Sequence, residues 1–301
     1  MTHAPLADLH RHLDGSLRAA TLRDLANQLG VTIPDDIRFF RGMGLDAALE
    51  RFRHTLAVLQ QPDAVQRVAD EICGDAQAEG VTTLEIRFAP QLHHGASLES
   101  VVDAALEGVA GRAGLILCGL YGEPPAVLEH LVAVAESRRG VVGIDLAGGP
   151  APGQQYGMVD YAAAFERARR IGVGRTVHAG EGRPPAEIRM AVELLHAQRI
   201  GHGTTVLQDP AVVELVLKRG VTLEACPTSN VHTGVIPGVE DHPLATWLRR
   251  GLRACVCTDN TLLSDVDSPT EHRNALRAQG MDEQLLGMAI AYGHAAAFRR
   301  E

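Results

Sequence analysis

Two histidines separated by one residue, His10 and His12, stand at the end of the apolar run LADLH. Alternate residues of a strand face the same side, so both imidazoles can converge on one ion while Arg11 points elsewhere. Three more apolar runs end in comparable groups. GRTVHA is followed closely by Glu181 and carries His178, RIGH ends in His202, and RACVCTD ends in Asp259, with Asn260 next. Three neutral imidazoles and one carboxylate suit zinc, which takes nitrogen and oxygen ligands and leaves room for a water. Bound zinc would bring the pKa of that water towards neutrality and supply hydroxide at cellular pH. One ion per chain is expected. Many binuclear barrel hydrolases bridge two ions with a carboxylated strand-end lysine, whereas the one lysine here, Lys218, falls in a helical stretch.

These groups act together only if the fold gathers them. Eight runs of strand length alternate with longer stretches of helical spacing. The runs are LADLH (6–10), VTTLEIRF (81–88), LILCGL (115–120), VVGIDLA (141–147), GRTVHA (174–179), RIGH (199–202), VTLEAC (221–226) and RACVCTD (253–259). Helical candidates include Asp63–Ala78, Ser97–Gly111, Pro124–Ser137, Val159–Ile171, Pro185–Gln198, Pro210–Lys218 and His242–Arg250. Several open with proline or a capping side chain. The alternation argues for an α/β fold with a parallel sheet, and eight units argue for closure into a (β/α)8 TIM barrel. All strand C-terminal ends then open onto one face. The competing architecture is an open doubly wound sheet, but neither G-x-G-x-x-G nor G-x-x-x-x-G-K-[ST] is present. Residues 34–62, rich in Arg and Phe, are too long for one βα loop and read as a short helical lid within a single domain spanning 1–301.

The plain alternative is that the strand-end histidines sit on solvated turns. That reading is applied to most of the other ten of the fourteen histidines, including His3, His54, His93, His94 and His242. It leaves the strand-end set unexplained, because polar groups facing into a barrel mouth must be paired, hydrogen-bonded or ligated. Asp8 shares strand parity with His10 and His12, so strict alternation turns it inward, with Arg87 as one candidate partner.

A formal charge of −9 gives no electrostatic reason to bind nucleic acid or an anionic membrane. Hydrophobic residues make up 46%, enough for a sizeable core, yet no window resembles a membrane span or a secretory signal, so a cytoplasmic location is expected. Five scattered cysteines (Cys73, Cys118, Cys226, Cys255 and Cys257) suit buried reduced thiols. Cys255 and Cys257 could share a metal, but they continue an apolar run and read as core.

The segments LHRHLDGS, IDLAGG, TVHAGE, RIGHGT, LEACPTSNVHTG and CTDN, spread over residues 9–260, together resemble the adenosine deaminase family. The resemblance implies a zinc-dependent (β/α)8 hydrolase that replaces the 6-amino group of a purine nucleoside with oxygen and releases ammonia. It implies His10, His12, His178 and Asp259 as zinc ligands, with Glu181 as a protonated donor to purine N1. His202 would hydrogen-bond the attacking hydroxide or take its proton, and Asp259 would help to orient it. The Gly148 N–H would face purine N3, and Asp14 would accept from the sugar 5′-hydroxyl. The residue readings beside these are a turn glycine at 148 and a helix cap at 14. Two positions depart from the family. Asn260 replaces a second aspartate, and its amide can still donate to N7. Gly149 replaces an acidic residue, which bears on substrate identity.

Adenosine or 2′-deoxyadenosine is the expected substrate, because the charge of Asp14 would repel a 5′-phosphate. The alternatives are 6-aminodeoxyfutalosine, whose carboxylate could meet Arg38, Arg41, Arg51 or Arg53 of the lid, and free adenine. A barrel metallo-phosphoesterase would need a second ion or a basic phosphate clamp, which the strand ends lack. A non-catalytic purine-binding scaffold would have no use for both Glu181 and His202.

Overall fold

The computed structural model describes residues 4–299. Its eight strands are β1 (Leu6–His12), β2 (Val81–Phe88), β3 (Gly114–Leu120), β4 (Val141–Ala147), β5 (Gly174–Ala179), β6 (Arg199–His202), β7 (Thr222–Ala225) and β8 (Arg253–Val256). They pair in parallel in chain order. Closure comes from the residues just after β8. The His12 N–H donates to the Asp259 carbonyl at 2.7 Å, and the Asp259 N–H donates to the His10 carbonyl at 2.8 Å. The sheet is therefore the barrel expected from eight alternating units.

The helices are α1 (Ala19–Leu29), α2 (Leu45–Leu56), α3 (Pro62–Ala78), α4 (Leu98–Val109), α5 (Pro125–Ser137) and α6 (Ala162–Arg170). The second half of the chain adds α7 (Ala186–Glu193), α8 (Pro210–Arg219), α9 (Pro227–His232), α10 (Leu244–Arg249), α11 (Ser268–Arg277) and α12 (Glu283–Ala296). Ser97 caps α4 by accepting from the Ser100 N–H, and Asp209 caps α8 by accepting from the Ala211 N–H. The largest shortfalls from the expected helices are at α6 and α7. Val159–Ile171 begins as a 3-10 turn and becomes α-helical at Ala162. Pro185–Gln198 ends at Glu193 because His196 takes a left-handed φ of 52°, which turns the chain so that the Gln198 N–H reaches the Arg175 carbonyl. Lys218 is exposed on α8, away from the strand C-termini.

Residues 34–62 contribute one full helix, α2, and an irregular stretch tied to the C-terminal face. The Phe39 N–H donates to Leu263 O at 2.6 Å, and the Gly42 N–H donates to Val231 O at 3.0 Å. Ile37 and Phe39 are buried by this docking.

Aliphatic side chains fill the layer between strands and helices, but part of the barrel interior is ionic. Arg87 on β2 meets Asp145 on β4 at 2.8 Å and Glu224 on β7 at 2.9 Å. Arg199 on β6 pairs with Glu224 at 2.7 Å and Glu85 at 2.5 Å. All five side chains are at most 2% exposed. Buried charges persist only when paired in this way.

That network corrects the expected Asp8–Arg87 pair. β1 has a register irregularity between Asp8 and Arg11, so strict alternation fails there. Asp8 accepts from Arg11 Nε at 3.0 Å and Thr258 Oγ1 at 2.6 Å, while Arg87 serves the interior carboxylates. Two histidines assigned to solvated turns are also buried. His93 has Nδ1 2.5 Å from the Leu59 carbonyl, and His242 stacks edge-on against Trp247. His94 is exposed, and His3 lies outside the described residues. All five cysteines are free and buried, with the Cys255 and Cys257 sulfurs 3.7 Å apart in an apolar cluster with Leu9 and Cys226.

Candidate active site

Each strand-end group found in the sequence reaches the same end of the barrel. His10 and His12 leave β1 on one side, His178 leaves β5, and His202 ends β6. His202 and Asp259 have left-handed φ values of 67° and 63°, uncommon for residues with a Cβ. Backbone strain of this kind persists where surrounding contacts over-determine it. At Asp259 those contacts are the two backbone bonds to β1, which hold its carboxylate over the histidines.

The donor atoms converge. His12 Nε2 lies 3.3 Å from His178 Nε2, and Asp259 Oδ1 lies 3.5 Å from His10 Nε2 and 3.4 Å from His12 Nε2. His10, His12 and His178 form one set whose ligand atoms lie within 4.8 Å of one another, and His10, His202 and Asp259 form another. His10 Nε2 is buried without a hydrogen-bond partner. The far ring nitrogens are occupied, His10 Nδ1 by Glu224 at 2.7 Å and His178 Nδ1 by Asp145 at 3.0 Å. A carboxylate at Nδ1 fixes the proton there and leaves the Nε2 lone pair facing inward. Lone pairs crowded together repel unless a cation lies between them, and donors about 2.0–2.1 Å from a tetrahedral ion stand roughly 3.3 Å apart. The residues present fit such an ion.

Electrostatics agree with that use. Burial lowers the pKa of His12 and His202 well below the ordinary value, so both rings are neutral at pH 7. Against the cost of burial, the hydrogen bond and charge of His10 hold Asp259 well below the usual carboxylate range. Glu224 is likewise kept ionised by Arg87 and Arg199. Glu181 moves the other way. Burial, and then the nearby Asp259 carboxylate, raise its pKa, while Thr233 Oγ1 donates to Glu181 Oε1 at 3.1 Å. His202 Nε2 is 3.7 Å from Glu181 Oε2.

These groups border a cavity of about 280 Å³ lined by His12, Asp14, Gly148, His178, Glu181, His202, Asp259 and Asn260. Its other walls are mostly apolar, with Phe39 and the α2 residues Leu45, Leu49 and Phe52 prominent. His10 is the one expected site residue behind the wall. Gly148 follows β4 with a φ of 76°, a conformation that favours glycine. Asp14 is buried, which raises its pKa to about 7, and its Oδ1 has no partner. No helix begins at Asp14, since α1 starts at Ala19, so the helix-cap reading does not apply. The Asn260 side chain packs against Gly15, where a Cβ would fall 1.9 Å from Asn260 Oδ1. Gly149 lies outside the cavity wall, and a Cβ there would come within 2.7 Å of an Arg183 terminal nitrogen. The same Cβ would come 2.8 Å from Leu45 Cδ2, so the departure at Gly149 concerns the packing of Arg183 and of the cavity-wall residue Leu45.

Sequence reasoning missed the groups behind the site. Asp145 and Glu224 orient His178 and His10, and Asn230 on α9 places Nδ2 3.1 Å from His202 Nδ1. Asn230 and Thr233 lie inside LEACPTSNVHTG, so the segment was visible although their partners were not. Three of the four arginines proposed for a substrate carboxylate are engaged elsewhere. Arg38 pairs with Asp265 at 3.3 Å, Arg53 with Glu50 at 2.5 Å, and Arg51 donates to the Asp36 carbonyl at 2.6 Å. No arginine or lysine lines the cavity among the described residues.

Comparison with known proteins gives the same direction. Residues 5–300 match the family model described as adenosine deaminase. The adenosine deaminase of Erwinia tasmaniensis is 33% identical over 322 aligned positions, covering 99% of this chain and 95% of the relative. That of Shewanella denitrificans is 34% identical, covering 98% and 94%. Among solved structures, the adenine deaminase from Arthrobacter aurescens superposes with a TM-score of 0.89 at 25% identity, covering 99% of this chain and 95% of that one. An amidohydrolase from Burkhoderia ambifaria with bound Zn gives 0.88 at 25% identity, covering 99% and 86%. A barrel closed around these convergent groups, with full-length similarity to such relatives, makes the chain a member of the adenosine deaminase family.

Proposed function

We propose that this protein is a zinc-dependent aminohydrolase that replaces the 6-amino group of adenosine or 2′-deoxyadenosine with oxygen and releases ammonia. The observation that carries the reading is the convergence of His10, His12, His178 and Asp259 beside the buried Glu181, whose pKa burial raises, in a mostly apolar cavity. Zinc at this centre supplies Lewis acidity and an acidified water, and the zinc-bound relative supports that choice of metal.

The chain's own residues supply the rest. Burial raises the pKa of Glu181, which favours its protonated form, and in this reading Glu181 donates that proton to purine N1, which makes C6 electrophilic. Asn230, in its assigned orientation, donates to His202 Nδ1, so the neutral ring carries its proton on Nε2. His202 in this reading donates a hydrogen bond to the attacking solvent and the ionised Asp259 carboxylate orients it; as the C–O bond forms, the solvent O–H proton passes to the 6-amino nitrogen, so that the C–N bond breaks with loss of neutral ammonia. Gly148 and Asn260 meet the base through N3 and N7, and Asp14 meets the 5′-hydroxyl.

The apolar wall and the lack of a lining cation favour a neutral nucleoside over a substrate with a phosphate or carboxylate. With a pKa near 7, Asp14 contributes less repulsion at neutral pH than a full charge would, so selectivity rests on the missing cation. Among the described residues no helix is long and apolar enough to cross a membrane. The free buried cysteines suit the cytoplasm, which is the compartment proposed.

Ammonia release from adenosine, 6-aminodeoxyfutalosine and adenine, together with metal content, tests the proposal. The highest kcat/KM should be for adenosine, with one zinc per chain. Inactivity on all three would overturn the deaminase reading, and activity on phosphate esters with two ions per chain would favour a phosphoesterase.

A further inference from the structure

At the barrel end away from the active site, the N-terminal ends of β5 to β8 border a cleft of about 850 Å³. Arg175 enters it from β5, Arg199 from β6 and Arg253 from β8. Arg169 of α6, Arg219 of α8 and Arg299 beyond α12 complete the ring. Its described lining contains no carboxylate, in a chain whose formal charge is −9. Basic residues are thus concentrated on a small part of an acidic protein.

Local partners neutralise two of the six. Arg169 pairs with Glu166 at 2.7 Å, and Arg199 pairs with Glu85 and Glu224. Arg175 is only 9% exposed, yet its hydrogen bonds go to backbone carbonyls, Nε to His196 O at 2.9 Å and one terminal nitrogen to Val173 O at 2.8 Å. Arg219, Arg253 and Arg299 form no ion pair among the described residues. Like charges held together, one of them nearly buried, are unfavourable unless an anion joins them.

We propose that this cleft binds a compact, multiply charged, phosphate-bearing anion. Guanidinium forks match phosphate oxygens in pairs, and the volume suits a small ligand. A long polyanion is disfavoured, because beyond the cleft it would meet the net negative surface. A nucleobase finds no free stacking face on Phe298, whose ring lies 3.6 Å below Arg199 Cζ and occupies the space a Cβ at Gly174 would need.

Isothermal titration of the zinc-loaded full chain with sodium tripolyphosphate tests this. The expected result is saturable binding of one anion per chain that weakens as salt rises. Arg219→Ala with Arg253→Ala removes two exposed charges and should weaken binding by about tenfold or more. Arg23→Ala with Arg139→Ala removes the same charge elsewhere and should leave binding unchanged. Arg199 is left intact because it also holds Glu224 behind His10. Absence of saturable binding would overturn the proposal. Binding that survives in the Arg219/Arg253 variant would also overturn it, because the anion would then sit elsewhere, at the zinc centre for example. Tight binding of a single-stranded oligonucleotide with none of tripolyphosphate would do the same.

Discussion

Glu224→Gln separates two jobs of one side chain. Glu224 accepts from His10 Nδ1 at 2.7 Å and pairs with Arg87 at 2.9 Å and Arg199 at 2.7 Å, all inside the barrel. Glutamine keeps the shape and removes the charge. The two guanidiniums then share Asp145 and Glu85 alone. Breaking a buried pair by neutralising one partner costs about 3–5 kcal/mol. For a domain of this size each kcal/mol moves Tm by slightly under about 2 °C, so a fall of about 5–8 °C is expected in thermal unfolding. A glutamine also weakens the hold on the His10 tautomer. Loss of such an outer partner typically lowers metal affinity about 10–100-fold, which a competitive zinc chelator titration on the folded variant would read. An unchanged Tm would refute the charge-balance argument. Wild-type zinc affinity despite the fall in Tm would show that Glu224 supports the barrel without orienting His10.

Three further outcomes are expected. Glu181→Gln should keep zinc and lower kcat by about two to four orders of magnitude, since an amide cannot supply the N1 proton; near-normal turnover would remove that role. Asn260→Ala should raise KM for adenosine with metal content intact, whereas loss of zinc would mean that the residues after β8 are wrongly assigned. Glu271 on α11 is fully buried, and burial raises its pKa to about 7 while it accepts from the Thr228 N–H at 2.8 Å. Because the folded value exceeds the unfolded one, its contribution to stability is fully present below about pH 4 and is lost as pH rises through 7. The loss is on the order of 3 kcal/mol, so Glu271→Gln should raise Tm at pH 8 and flatten its pH dependence. Equal Tm values for wild type and variant at pH 8 would contradict the argument.

The sequence alone determined the barrel and the polar part of the cavity wall, because both are written in short-range patterns. Runs such as VTTLEIRF and GRTVHA match β2 and β5 residue for residue, and strand alternation explains why His10 and His12 leave β1 together. Short α9 was not read out, since six residues after a proline carry too little periodicity. What the tertiary structure alone decided is which charges meet. Arg87 is one candidate partner for Asp8 on strand parity, but the irregularity in β1 turns Asp8 to Arg11 and Thr258, and Arg87 meets Asp145 and Glu224 across the barrel. Ion pairing among β2, β4, β6 and β7 depends on side-chain reach and register through the interior, and no local pattern encodes that separation. The arginine cleft arises in the same way, from strand starts far apart in the chain that barrel closure brings to one rim.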